Sequence, residues 1–294
     1  MNYSFSRYLL SKQTVDDRAL NKDVVHALRF HLPPEPVSVI EIGAGIGTML
    51  KRLVDWNLIS RGEYTLVDAM EENIAYAREW IPFWAVESGL SVERTGVDRL
   101  HLCDAARDIH IQLVCADVFN FIQENKSPAD ILIAHAFLDL LPLPDSLDAV
   151  LTLTKGLAWL TINFDGISAF QPAVDCELDE KIEQLYHATM DRRSSGGDSR
   201  MGRKLFEHLR SAQADILSAG ASDWVVYPQQ GSYPADEKYF LEFILYFFEN
   251  SLKECQDLEP ASLNRWLAGR HRQIESGELV YIAHQMDFLI RQRP

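Results

Sequence analysis

Glycine stands at every second position of Gly43-Ala44-Gly45-Ile46-Gly47, directly after the apolar run Val37 to Ile42 with its single acid, Glu41. A backbone without Cβ takes up positive φ and lets a ligand lie against the main chain, and a helix that follows offers unpaired N–H groups. This is chemistry for gripping a nucleoside-like cofactor. Later apolar runs also end in or near carboxylates: Asp68 after Glu63 to Val67, Asp117 after Ile111 to Ala116, and Asp139 beyond Asp130 to Ala134. A carboxylate at the end of the strand that follows such a glycine turn can accept hydrogen bonds from ribose hydroxyls. His135 directly follows the fourth run, and an imidazole with an unperturbed pKa near 6.5 suits proton removal at neutral pH.

The elements that must hold these residues follow from periodicity. Val37 to Ile42 reads as a buried parallel strand, and Thr48 to Trp56 places apolar residues at helical spacing immediately after the turn. Strand and helix then alternate as far as Thr161-Ile162-Asn163-Phe164, with Glu71 to Trp80 and Asp145 to Thr154 as crossover helices, which predicts a parallel sheet. Ahead of the first strand, Tyr3 to Phe30 reads as helical, with Leu20, Val24, Ala27 and Leu28 on one face. The segment from Glu87 to His110 is longer than a usual connection and has room for a strand pair or an extra helix. Gln184 to Gly202 is polar and reads as a loop or lid, with Ser194 to Ser199 as its most flexible part. A helical pattern runs from Met201 to Leu217 and Gly220, and Trp224 to Tyr227 reads as a strand. Two inserted helices, Asp236 to Ser251 and Ser262 to Ile274, precede the last strand at Leu279 to Ile290. The expected organisation is an N-terminal helical segment over 1–34, a core over 35–169, and a part over 170–294 that completes the sheet and carries the cap.

The spacing separates two cofactor classes. The dinucleotide fingerprint needs a third glycine at position 48, where Thr48 stands. The pattern Glu41-x-Gly43-x-Gly45-x-Gly47 instead resembles motif I of the class I S-adenosylmethionine-dependent methyltransferases, in particular those acting on small molecules. The resemblance implies an α/β, Rossmann-like, seven-stranded and mostly parallel sheet with helices on both faces, extended here by the N-terminal helices and cap insertions. It implies S-adenosyl-L-methionine as cofactor and S-adenosyl-L-homocysteine as product. In such a protein Glu41 reaches the amino-acid part of the cofactor, and Gly43, Ala44, Gly45 and Gly47 form the turn beside it. Asp68 holds the ribose, Ala69 and Met70 flank the adenine, Asp117 with Val118 lies near the adenine amino group, and His135 faces the transferred methyl. Tyr8 and the run Gln13 to Arg18 are expected to fold over the cofactor, or else only to pack on the sheet.

Methyl transfer is an in-line displacement, so alignment matters most: near-attack positioning supplies roughly 7–11 kcal/mol, whereas a general base adds about 10²–10⁴-fold. His135 is the first candidate base, with Asp139 to orient it or bind the acceptor; a loop hydrogen bond and a turn cap are their structural alternatives. Asn163, Phe164 and Asp165, after strand five, are candidates to position substrate. Tyr239 and Phe243 belong to a densely aromatic helix that either walls an apolar substrate pocket or packs the cap or a homodimer contact. No carboxylate pair stands at a spacing that suggests Mg²⁺, so metal-independent transfer is expected. The helices between the sixth and seventh strands depart from the minimal family pattern, where a tight hairpin stands.

Composition narrows the partners. A formal charge of −15 over 294 residues argues against nucleic acid, because phosphate binding draws on clustered Lys and Arg. Tyr239 to Phe248 is far too short for a membrane span of about 20 residues, and the first residues from Met1 lack a signal pattern, so a cytoplasmic location is expected. Cys103, Cys115, Cys176 and Cys255 are scattered without a C-x-x-C pair, so reduced thiols and no zinc site are expected. The expected function is methyl transfer to oxygen, nitrogen or carbon of a small molecule. The alternatives are a non-catalytic cofactor- or partner-binding module, an NAD(P)-dependent oxidoreductase and, more distantly, aminopropyl transfer.

Overall fold

The computed structural model describes residues 3–125, 127–193 and 196–293. Three short helices come first: α1 (Phe5–Ser11), α2 (Gln13–Ala19) and α3 (Lys22–His31). Strand β1 (Val37–Ile42) leads through the glycine turn into α4 (Thr48–Asp55), then β2 (Arg61–Asp68) and α5 (Glu71–Glu87). A hairpin of β3 (Ser91–Gly96) and β4 (Arg99–Cys103) is followed by β5 (Asp108–Cys115), α6 (Val118–Glu124), β6 (Ala129–His135), α7 (Leu147–Leu151) and β7 (Thr154–Gln171). The chain continues through α8 (Cys176–Asp191), α9 (Met201–Ser211), β8 (Ala214–Ala221), β9 (Trp224–Val226), α10 (Glu237–Leu252), α11 (Pro260–Glu275) and β10 (Val280–Gln292).

All ten strands join one sheet in the order β3-β4-β5-β2-β1-β6-β7-β10-β8, with β9 paired to β10. The centre, β5-β2-β1-β6-β7, is parallel, and the pairs at both flanks are antiparallel. Helices cover both faces, so alternate residues of one strand enter different cores: Val39, Ile131 and Ile133 on one side, Ile40, Leu132 and Ala134 on the other. From β1 the chain moves outward to β2 and β5 and then returns to β6 on β1's other side. Ligands of open α/β sheets collect at such a reversal, outside the carboxyl ends of the strands.

Several elements differ from the sequence expectation. The sheet has ten strands rather than seven, because the segment after α5 adds the β3–β4 hairpin at one edge and β9 adds a short ribbon beside β10. The helical pattern expected to run on to Gly220 stops at Ser211, and Gln213 at φ 57 turns the chain into β8. Small residues matter there: a Cβ on Gly220 would lie 2.3 Å from the Asn21 amide, so Gly220 lets the start of α3 sit on β8. The sixth sheet position is therefore β8, with the expected strand at Trp224 only a three-residue neighbour of β10. The first half of the polar stretch from Gln184 is the end of α8, which Asp175 caps and Ile182 and Tyr186 anchor. Ser194 and Ser195 lie outside the described residues, as do Met1 and Asn2. Strand β7 runs on past Phe164 to pair with β10.

Where β7 meets β10 the register shifts between Met286 and Phe288, and Ile162 sits at φ 56. A β-branched residue in the left-handed region needs outside support. Asp287 supplies it: Ile162 N–H donates to Asp287 Oδ1 at 2.7 Å, and Asn21 N–H at the start of α3 donates to Oδ2 at 2.8 Å. Burial raises the Asp287 carboxyl to about 6 against these bonds. Asp287→Ala should lower the urea midpoint with little change in slope, at a cost of about 1–3 kcal/mol for each buried donor left unpaired; equilibrium unfolding measures it.

Candidate cofactor and active site

The carboxyl ends of β1, β2, β5 and β6 open into a cavity of about 440 Å³, lined by Glu41, Gly43 to Ile46, Thr48, Asp68 to Met70, Asn73, Ala116 to Phe119 and His135 to Phe137. That volume lies in the range of about 300–1,000 Å³ typical of small-molecule sites. Phe5, Leu9 and Lys12 from the N-terminal helices close one side, and Leu140 and Leu141 another. Gly43, Gly45 and Gly47 take φ of 62, 56 and 84°. A Cβ on Gly43 would fall 2.2 Å from the Phe137 ring, so the loop after β6 packs directly on the turn.

Asp68 joins the two loops at the cavity floor. Its Oδ2 accepts from Gly45 N–H at 2.8 Å, and its Oδ1 accepts from Met70 N–H at 2.9 Å and Asn73 Nδ2 at 3.1 Å. Beside it the buried Oδ1 of Asn73 has no partner. Glu41, buried at the end of β1, accepts from the Tyr64 hydroxyl at 2.8 Å. Burial raises its carboxyl to about 8, with Asp68 adding to the rise and the Tyr64 bond and Arg52 opposing it. Asp117 caps α6, accepting from Phe119 N–H at 2.9 Å, while Ala69, Met70 and Val118 contribute apolar wall.

His135 lines the cavity with both ring nitrogens engaged: Nδ1 lies 2.8 Å from Thr161 Oγ1 and Nε2 3.0 Å from Asp16 Oδ2. Burial lowers the imidazole to about 4, although Asp16 opposes the shift. The neutral ring therefore donates to Asp16 from Nε2 and accepts the Thr161 hydroxyl at Nδ1. Asp16 itself is completely buried, yet Lys12, His135 and Arg52 outweigh that burial and hold its carboxyl well below the usual range. Lys12 Nζ and Arg52 Nη2 each lie 3.3 Å from Oδ2, and Trp224 Nε1 donates to Oδ1 at 2.9 Å.

The N-terminal helices are tied across to α10. Arg7 pairs with Asp236 at 2.9 Å, Arg18 with Glu237 at 2.6 Å, and Tyr239 exchanges hydrogen bonds with Ser4. Tyr8 stacks on Phe243 with centroids 4.5 Å apart and packs near Phe240. Tyr8, Tyr239 and Phe243 thus join α1 to α10 and do not line the cavity. Nor do the β7 residues: Asn163 Nδ2 donates to Met286 O, Phe164 packs edge-on to His187, and Asp165 pairs with Arg203 at 2.7 Å. Asp139 sits in the short turn Leu138–Leu140; burial raises its carboxyl to about 6, and its Oδ1 has no partner.

Sequence reasoning missed Lys12, Asn73, Phe137 and the hub role of Asp16 and Arg52. One signal was available: Arg52 stands on the same helical face as Met49 and Leu53, a charge on an apolar stripe that calls for a buried counter-ion. Linkage gives a test of the His135 environment. With the folded pKa near 4 and the unfolded value near 6.5, the unfolded chain binds the extra proton, so stability falls as pH drops through that window. His187, lowered likewise by burial, contributes the same sign. Glu41, Asp139 and Asp287, raised by burial, contribute the opposite sign, so the test is the difference: from pH 7 to 4 the stability of His135→Gln should fall less, or rise more, than that of the parent.

No protein-family model matches the chain, and no curated protein does. Among solved structures, the cyclopropane synthase MmaA2 from Mycobacterium tuberculosis is 10% identical, with 99% of this chain and 95% of that one covered at a TM-score of 0.48. YjhP from E. coli is 13% identical over 97% of this chain and 99% of its own, at 0.48. A coclaurine N-methyltransferase bound to N-methylheliamine and SAH is 10% identical, with 96% and 71% covered, at 0.42. The strand order, the glycine turn and the cavity at the β1/β6 reversal give the chain the Rossmann-like α/β fold implied by its resemblance to the class I S-adenosylmethionine-dependent methyltransferases.

Proposed function

We propose that the protein is an S-adenosylmethionine-dependent methyltransferase acting, without a metal, on a small-molecule acceptor. The observation that carries this reading is the convergence of the glycine turn, Glu41 and the Asp68–Asn73 pair on one cavity. The donor set fits the cofactor. Two carboxylate oxygens offer about four acceptor positions, of which Asp68 uses three within the protein. The remaining one, together with the orphaned Asn73 Oδ1, suits the two hydroxyls of a ribose. Glu41 offers a carboxyl to an ammonium, Asp117 an acceptor to an exocyclic amine, and Ala69, Met70, Val118 and Phe119 an apolar wall to a flat base.

When bound, the cofactor supplies an electrophilic methyl group that a nucleophile displaces in line. The chain's own residues align and dry the site. Phe5 and Leu9 cover it, Phe137 rests on the glycine turn, and the acceptor side is the loop from Phe137 to Leu141. His135 holds Asp16, and with it the cover, in place. Asp139, in the turn beside Leu140 and Leu141 but not itself lining the cavity, has an unpartnered Oδ1 and is the candidate to take a proton released by a hydroxyl acceptor. One observation favours a second reading, a non-catalytic cofactor-binding module: both nitrogens of His135 are already bonded. It predicts cofactor binding with no turnover across acceptor panels.

Calorimetric titration with S-adenosylmethionine, S-adenosylhomocysteine and NAD(P)H tests the reading. The first two should bind, and Asp68→Ala should weaken them by about 1–3 kcal/mol, roughly fivefold to more than a hundredfold. Preference for NAD(P)H, or unchanged affinity in the variant, overturns it. A pH series tests Glu41. In the free protein this carboxyl keeps its proton up to about 8, whereas pairing with an ammonium requires the carboxylate. Affinity should therefore rise from pH 6 to 8, by up to about tenfold per unit, and Glu41→Gln should remove that part of the slope.

A further inference from the structure

Strands β3, β4, β5 and β2 carry, outside the residues that line the cofactor cavity, a row of titratable side chains that the proposed methyl transfer does not use. Pairing across four adjacent strands sets Glu93 opposite His101, His101 opposite His110, and His110 opposite Glu63. Asp108 stands two residues before His110 on β5 and so shares its face. We propose that His101, Asp108 and His110 form a binding site for a divalent transition-metal ion of the zinc type.

The geometry carries the assignment. The two imidazoles are stacked, with centroids 4.3 Å apart and planes within 6°. Both Nε2 atoms approach the same carboxylate oxygen: His101 lies 2.7 Å and His110 3.6 Å from Asp108 Oδ1. One ligand atom from each residue can be chosen so that all lie within 4.8 Å of one another. Zinc takes imidazole nitrogen at about 2.0–2.1 Å and carboxylate oxygen at about 2.0–2.2 Å. Around a tetrahedral ion such ligands stand on the order of 3.3 Å apart, so side-chain rotations suffice and the paired backbones stay fixed. Three protein ligands leave one position for water. Glu93 Oε2 lies 3.8 Å from His101 Nδ1, placed to take the N–H of a metal-bound ring, the usual outer partner of a ligating histidine. Two imidazoles with one carboxylate favour zinc and its neighbours over magnesium or calcium, which prefer all-oxygen shells. His101 and His110 fit no linear metal motif, because only the β4–β5 pairing brings them together. Bound there, the ion links β4 to β5 and secures the hairpin at the sheet edge.

Zinc chloride titrated calorimetrically into the metal-stripped full chain tests this, with circular dichroism confirming that each variant is folded. The expected result is one equivalent bound in the micromolar range, weakened at least tenfold in His101→Ala, in His110→Ala and in Asp108→Asn. Zinc should also slow amide exchange in residues 91–103. Cys103 pairs with Asp108 in the register and is a rival ligand, so Cys103→Ser should leave the affinity unchanged. Absence of saturable binding, retention of full affinity in both histidine variants, or loss of binding in Cys103→Ser would each overturn the assignment.

Discussion

A carboxylate removed from water is tolerated only when charge and hydrogen bonds replace its hydration, and Asp16 is the place where this chain meets that requirement in full. Its two oxygens gather Lys12, Arg52, His135 and Trp224, which come from the α1–α2 junction, α4, β6 and β9. One side chain thereby locks the N-terminal helices to the helix after the glycine turn, to the strand that ends at the cavity, and to the ribbon beside β10. Hydrophobic packing alone would hold these elements together without fixing their relative placement. The charged hub does fix it, since any sliding of α2 strands a buried charge.

The same hub explains why His135 behaves differently from a free strand-end histidine. Its position at the cavity follows from the chain order, yet its hydrogen bonds come from Asp16, 119 residues earlier, and from Thr161 on β7. Thr161 in turn adjoins Ile162, whose left-handed backbone Asp287 supports. Two buried acids, one at each end of the chain, thus set the orientation of a single ring.

How much of this was legible can be judged residue by residue. The parallel centre could be read because apolar runs and helical spacing are local signals, and Glu41, the glycines, Asp68 and Asp117 could be placed because strand order brings strand ends together. What failed depended on distant partners. Ala214 to Ala221 has the small residues of a helix but is a strand, because β10 offers it an edge and α3 needs its Gly220. Tyr239 and Phe243 read either as a pocket wall or as packing of the cap or a dimer contact, and the sequence could not name their partners, Ser4 and Tyr8 near the other end of the chain. Asn73 carried no signal at all, since an amide on a helix becomes informative only when its oxygen is seen to lack a partner.

The tie between α1–α2 and α10 has a consequence for how the protein is made. Ser4, Arg7 and Arg18 are made before the Tyr239, Asp236 and Glu237 they bind, which follow more than 200 residues later. Contacts of such long sequence separation form late, after the loop-closure entropy has been overcome. During synthesis Asp16 can reach Arg52 and His135 once β6 is made, whereas the ties from Ser4, Arg7 and Arg18 wait for α10. The outer edge of the cover, where α1 meets α10, is therefore completed last and is the first part to come loose when the C-terminal insertion is disturbed.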